Sequence, residues 1–198
     1  MFGDDRMKIR ETAPKYLADK KPFTYQDYLN LPDDGMRYEV INGELIMTPS
    51  PIVVHQKVSV AISSQLYRYV NAHNLGTVFT APLDVVFGEK DVLQPDVLFI
   101  SNGRKNIIKE RNIAGAPDLI VEVLSPSTAY YDLFDKKELY EKFGVREYWI
   151  VDPMRQWVER YRLHEGKFVL AQRLEKQGHL SSDVLKGFKL NLEDVFKN

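Results

Sequence analysis

The chain has 198 residues, no cysteine, and 27 Lys and Arg against 28 Asp and Glu, which gives a formal net charge of −1. The missing cysteines exclude disulfide scaffolds, thiolate nucleophiles, iron–sulfur clusters and zinc sites with cysteine ligands. The balanced charge argues against a protein that coats nucleic acid through net positive charge, and without an apolar run of roughly 18 residues we expect a cytoplasmic protein with no membrane partner.

The predicted elements begin after a polar N-terminal stretch. Residues 1–22 carry alternating charges and few large apolar side chains, which predicts a flexible tail. Residues 23–198 are predicted to form a single domain. A short helix begins after Thr24, where Asp27 at the third following position completes a capping-box pattern.

Apolar periodicity and turn residues predict the elements that follow. Asn42-Gly43 favours a type I′ hairpin turn between two β-prone runs, because both residues tolerate positive φ. The remaining predicted elements are a helix over 53–73, strands over 77–80, 83–87, 95–100, 119–124 and 147–151, a helix over 132–143, and a hairpin of 156–163 with 167–174. This order predicts a mixed α/β domain.

Two carboxylates interrupt predicted strands. Asp96 follows Pro95 at the start of one strand, and Glu122 stands within the apolar run 119–124. Burying a carboxylate is costly unless something compensates for its charge, and a metal ion is one such partner. The alternative is that the two acids lie on an exposed edge or are hydrogen-bonded to arginine.

Lys136 falls in the middle of an apolar helical stripe. At about 100° per residue, it shares a face with Leu133, Leu139 and Tyr140, whereas Lys137 points roughly 100° away. A lysine in this position either extends its stem over the core or reaches inward to a carboxylate site. Two acids and one lysine are the groups needed for metal-assisted phosphodiester hydrolysis, with Mg²⁺ or Mn²⁺ as the cofactor.

The chain resembles the PD-(D/E)XK nuclease superfamily, in the variant whose lysine lies on the following helix. Four runs carry a closer resemblance, which covers about residues 23–190: 37–45 (RYEVINGEL), 95–97 (PDV), 121–127 (VEVLSPS) and 144–153 (GVREYWIVDP). In these runs the chain resembles a restriction endonuclease family that is abundant in cyanobacteria and was formerly described as a domain of unknown function.

The resemblance implies a restriction-endonuclease-like core with flanking helices and additional β-hairpins. It also implies that Asp96 and Glu122 are metal ligands, that Lys136 is the catalytic lysine, and that Glu39 is a further acid of the catalytic set. Glu39 could instead pair with Arg37 or with a basic surface residue. Leu124 stands where the superfamily ordinarily has its lysine, so activity depends on Lys136 replacing it.

Three other side chains are weaker candidates. His55 is either a base or phosphate contact, or an exposed or capping residue at a helix start. Gln94 is a candidate contact to the metal, and Tyr140 is expected in the core with its hydroxyl directed to the site. The basic residues between 104 and 111 could contact phosphates, but a solvated face is the default expectation.

The leading hypothesis is therefore a metal-dependent endonuclease acting on DNA, expected to be duplex. A homodimer would supply two sites for two strands. The alternatives are a non-catalytic nucleic-acid- or protein-binding module that keeps the fold, and a hydrolase of a smaller phosphoester.

Overall fold

A computed structural model of the chain describes residues 21–32, 34–125 and 131–197. The first 20 residues of the predicted flexible tail lie outside the described residues, so the tail and the single domain over 23–198 stay predictions. The start of the described chain is attached to the rest of the fold by backbone hydrogen bonds. The Phe23 N–H donates to Gly43 O at 2.8 Å, and the Tyr25 N–H donates to Glu89 O at 2.6 Å.

Four helices and thirteen strands are present in the described part of the chain. The helices are α1 (Tyr25–Leu29), α2 (Val53–Ala72), α3 (Lys136–Lys142) and α4 (Leu192–Val195). The strands are β1 (Arg37–Ile41), β2 (Glu44–Thr48), β3 (Gly76–Thr80), β4 (Val85–Gly88), β5 (Asp91–Leu93), β6 (Val97–Ser101), β7 (Ile113–Ala114), β8 (Leu119–Val123), β9 (Glu147–Asp152), β10 (Trp157–His164), β11 (Lys167–Glu175), β12 (His179–Ser181) and β13 (Lys189–Asn191). None of the described helices is both long and apolar enough to cross a membrane.

Local signals explain the first elements. The Thr24 side chain accepts from the Asp27 N–H at 3.2 Å, and the Asp27 carboxylate accepts from the Thr24 N–H at 2.9 Å, so the predicted capping box starts α1. Asn42 and Gly43 have φ of 52° and 79°, which a type I′ turn requires between β1 and β2. Both predictions are confirmed.

Two mixed sheets form the body of the protein. The smaller sheet has the order β2-β1-β5-β4-β7, and the larger has the order β11-β10-β9-β8-β6-β3. The sequence predicts neither β5 nor β7, because strands of three and two residues are too short to show a periodicity.

The larger sheet is covered on both faces. On one face it packs against the apolar stripe of α2 and against the C-terminal segment, and on the other against the smaller sheet and α3. Side chains alternate between faces along a strand. Consequently Val121 and Val123 of β8 pack toward α2, whereas Ile120 and Glu122 face the smaller sheet and α3.

The predicted helix over 132–143 takes a different form at its start. Tyr131–Asp135 forms a π-helical turn that leads into the regular α-helix at Lys136. Over five residues the apolar periodicity of a sequence does not distinguish a π-helical turn from an α-helical one. The expected end is present, since Gly144 follows the helix with φ of 79°.

Candidate active site

Asp96 and Glu122 lie on neighbouring antiparallel strands. Val97 of β6 pairs with Val121 of β8, so the next position on each side brings Asp96 opposite Glu122. Asp96 Oδ2 also accepts the Val123 N–H at 2.8 Å, which holds this carboxylate against the end of β8. Strand register therefore places the two acids at opposite backbone positions of adjacent strands.

The Lys136 ammonium contacts Glu122 and Glu39. Its Nζ lies 3.3 Å from Glu122 Oε1 and 3.0 Å from Glu39 Oε2. The three residues are 2–4% exposed. Of the two orientations that the sequence left open for Lys136, the structure has the inward one, and the ammonium is shared between two buried carboxylates.

Tyr140 lies one helical turn beyond Lys136 and contacts the same acid. Its hydroxyl donates to Glu122 Oε1 at 2.6 Å. Burial, with the nearby charge of Glu122 as a second cause, holds the pKa of Tyr140 well above its usual value. The phenol therefore stays protonated and acts as a fixed donor that orients Glu122.

His55 contacts Asp96 from the opposite layer of the fold. Its Nε2 lies 3.1 Å from Asp96 Oδ2, and its Nδ1 lies 3.4 Å from Ser59 Oγ. The expectation of an exposed or capping histidine is wrong, since His55 is only 6% exposed. The spacing of His55 with Val58 and Ile62 on the buried stripe of α2 is the sequence signal that could have shown this.

Gln94 organises the neighbourhood of Glu39. Its N–H donates to Glu39 Oε1 at 2.8 Å, and its side chain accepts from Arg37 Nε at 3.1 Å and donates to Asp84 Oδ1 at 2.9 Å. Glu39 is thus paired with Lys136 rather than with Arg37. Sequence reasoning missed Arg37 as a site residue and considered it only as a partner for Glu39.

The basic segment between 104 and 111 contributes surface contacts. Arg104 pairs with Asp118 at 3.5 Å, and Lys109 Nζ donates to Asn106 O at 2.7 Å. Lys105, Lys109 and Arg111 are exposed, as the default expectation has it, whereas Arg104 is partly buried against Asp118.

The donor set fits a hard divalent cation. Glu39, Asp96 and Glu122 supply the carboxylate oxygens that such a cation prefers, and Lys136 contacts two of these three acids. Within 21–32, 34–125 and 131–197, no three His, Asp or Glu side chains are placed to share one metal ion. Mg²⁺ is nevertheless commonly held by one or two carboxylates together with water and substrate phosphate. Asp96 and Glu122 are the two carboxylates that could hold such an ion.

Lys136 also accounts for the departure of the sequence from the superfamily pattern. Leu124 stands where the lysine is expected, and it packs with the buried apolar residues on the α3 side of the larger sheet. An ammonium group is still present beside Glu122, but it comes from the following helix.

Comparison with known proteins supports the fold. A family model named Uma2 and described as "Putative restriction endonuclease" matches residues 25–193. The chain is also similar to a solved structure from Anabaena variabilis ATCC 29413, described as "a putative nuclease belonging to DUF820". The two are 24% identical, the match covers 88% of this chain and 98% of that chain, and the TM-score is 0.73. No curated protein matches the chain.

At this identity the solved structure shows a shared fold, and the predicted restriction-endonuclease-like α/β architecture is confirmed. The family model spans nearly all of the described residues, and its description indicates an enzyme that acts on nucleic acid. The chain belongs to the Uma2 family of "Putative restriction endonuclease" proteins.

Proposed function

We propose that the protein is a metal-dependent endonuclease that hydrolyses phosphodiester bonds of duplex DNA by a PD-(D/E)XK-type mechanism. The observation that carries the proposal is the position of the Lys136 ammonium, 3.3 Å from Glu122 and 3.0 Å from Glu39 in a buried setting. The register of β6 and β8 supports the proposal further, because it places Asp96 at the backbone position opposite Glu122.

In this proposal Asp96 and Glu122 would hold Mg²⁺ or Mn²⁺ through carboxylate oxygens. When bound, the cation would supply positive charge to the phosphate oxygens and lower the pKa of the attacking water. The contacts from His55 to Asp96 and from Tyr140 to Glu122 keep both carboxylates in fixed orientations. Such supporting hydrogen bonds normally tune metal binding.

Lys136 has two proposed tasks. Its N–H groups donate to the nucleophilic water or to a phosphate oxygen, where negative charge increases in the transition state. Glu39 and Glu122 both contact the ammonium, so Lys136 is positioned before substrate arrives. Preorganisation of this kind avoids reorganisation during the reaction.

The test is cleavage of supercoiled plasmid DNA in Mg²⁺ or Mn²⁺ by wild type, Asp96→Ala and the exposed control Asp194→Ala. The proposal expects nicking by wild type and by the control, and none by Asp96→Ala. Equal nicking by wild type and Asp96→Ala would contradict it.

Calorimetric titration with Mn²⁺ separates the proposal from the rival function, a non-catalytic nucleic-acid- or protein-binding module that keeps the fold. The endonuclease should release binding heat that disappears in Asp96→Ala and in Glu122→Ala. A binding module should show no heat that depends on either carboxylate.

We propose a cytoplasmic homodimer as the working form, because two protomers related by a two-fold axis would present two sites to the two strands of a duplex. Light scattering that gives the mass of one protomer under assay conditions would contradict the dimer.

A further inference from the structure

A cavity of about 210 Å³ opens beside Asp96. Arg37 at the start of β1 lines it together with Asp96, and α2 and Thr80 of β3 contribute hydroxyl groups from Ser59, Ser63 and Thr80. The cavity therefore combines one cation, several hydroxyl groups and a carboxylate of the proposed active site.

Arg37 is held in a fixed orientation by a chain of polar side chains. Its Nε–H donates to Gln94 Oε1 at 3.1 Å, Gln94 Nε2 donates to Asp84 Oδ1 at 2.9 Å, and the Tyr28 hydroxyl donates to the same Asp84 oxygen at 2.7 Å. A guanidinium has five N–H donors. The hydrogen bond to Gln94 uses the donor on Nε, and no residue in the described part of the protein accepts from the terminal NH₂ groups of Arg37.

Arg37 combines partial burial with the lack of an ion pair, which no other described arginine does. Arg104, Arg146, Arg160 and Arg173 each form an ion pair with a carboxylate, and the remaining described arginines, Arg68, Arg111, Arg155 and Arg162, are exposed. No carboxylate within the described ranges forms an ion pair with Arg37, although the residue is partly buried and Asp96 lines the same cavity. A partly buried guanidinium without an acid is well suited to bind an anion that comes from outside, and its planar fork matches a phosphate group.

The cavity continues into a longer groove. A second cavity of about 460 Å³ shares Val60, Ser63 and Thr80 with the first and extends between α2 and β3 to the exposed ring of Tyr67. β3 is an edge strand of the larger sheet, so this side of the groove is open. A ligand seated at Arg37 can therefore extend along α2 as a polymer.

We propose that this groove carries a strand of the nucleic acid and that Arg37 binds a backbone phosphate of that strand next to Asp96. The inference rests on the proposed nuclease function and adds a substrate-binding residue and a strand path to it. The Thr80 hydroxyl at the border of the two cavities would donate to a neighbouring phosphate oxygen.

The test measures binding of a short fluorescein-labelled DNA duplex by anisotropy, with Ca²⁺ in place of Mg²⁺, across a series of salt concentrations. Arg37→Gln removes the charge in the cavity, and Arg162→Gln removes the same charge from an exposed position on β10. Arg37→Gln should weaken binding about tenfold and lower the slope of log K against log salt by about one. Arg162→Gln should bind as wild type does.

Two further measurements distinguish a failure of this inference from a failure of the nuclease proposal and from misfolding of the variant. Mn²⁺ calorimetry should be unchanged in Arg37→Gln, whereas a failure of the nuclease proposal itself would appear as no nicking and no Mn²⁺ heat in wild type. If Arg37→Gln does not fold, Arg37→Lys retains the charge and should keep the wild-type salt slope with weaker binding. The inference is overturned if Arg37→Gln matches Arg162→Gln, or if Arg37→Lys loses the salt slope.

Discussion

The Lys136 ammonium lies 3.0 Å from Glu39 Oε2, although 97 positions separate the two residues in the chain. The contact joins α3 to β1 of the smaller sheet and places both side chains beside Glu122 of the larger sheet. One buried lysine thus links three elements at the proposed active site.

The first prediction concerns the charge of Glu39. Glu39→Gln should lower the free energy of unfolding by about 1–3 kcal/mol, because Lys136 loses one of two buried carboxylate partners. In a Lys136→Met background the same change should be neutral or stabilising, because Glu39 and Glu122 then have no ammonium group between them and the change removes the charge of one of these two buried carboxylates. Urea unfolding of the four proteins measures this coupling, and an equal loss in both backgrounds would contradict the shared ion pair.

The second prediction is a pH dependence of stability that comes from Tyr140. The folded-state pKa of Tyr140 is raised well above 10.0, so the unfolded chain releases this proton first. The contribution of Tyr140 to the free energy of unfolding is therefore fully present below pH of about 10. Above that pH it falls by about 1.4 kcal/mol per pH unit.

Urea unfolding in metal-free buffer at pH of about 9 and about 11 tests this effect. The difference in unfolding free energy between wild type and Tyr140→Phe should shrink at the higher pH. A difference that stays constant would show that the phenol ionises as readily in the folded protein as in the unfolded chain.

The third prediction concerns the edge strand that borders the groove. A Cβ on Gly76 would clash with the carbonyl oxygen of Ile100, in the strand that pairs with β3, whereas a Cβ on Gly103 meets nothing within 4 Å. Gly76→Ala should therefore lower the unfolding free energy by about 3 kcal/mol. Thermal melts should show Gly103→Ala close to wild type, and an equally small effect at Gly76 would argue against the β3–β6 pairing.

The fourth prediction concerns the support of Asp96 by His55. Removal of a residue that orients a metal ligand typically weakens metal affinity 10–100-fold. His55→Ala should show a loss of this size in Mn²⁺ calorimetry because its Nε2 lies 3.1 Å from Asp96. His73, which stacks on Tyr69, provides the matched control. Equal affinities in the two variants would mean that His55 has only a packing role.

Sequence reasoning succeeded where the signal is local. The capping box of Thr24 and Asp27, the Asn42-Gly43 turn and the shared helix face of Lys136, Leu139 and Tyr140 all follow from residues within one or two helical turns. Each depends on backbone geometry that neighbouring residues set by themselves.

The parts of the site that depend on packing between elements could not be predicted in this way. The Glu39–Lys136 and His55–Asp96 contacts need the relative placement of sheets and helices that are distant in the chain. Periodicity indicates which face of an element is buried but not which residue it meets. The same holds for Arg37, because its contact with Gln94 and its position in the cavity depend on elements that are distant in the chain.

The most direct test of the central claim compares the adjacent lysines of α3. Lys136 lies in the carboxylate cluster, whereas Lys137 Nζ lies 3.6 Å from the centre of the Tyr161 ring. Cleavage of supercoiled plasmid in Mg²⁺ by Lys136→Met and Lys137→Met, both checked for folding by circular dichroism, isolates the role of the buried ammonium. The account predicts cleavage near the wild-type rate for Lys137→Met and at least about a hundredfold loss for Lys136→Met. Cleavage by folded Lys136→Met at the wild-type rate would contradict it.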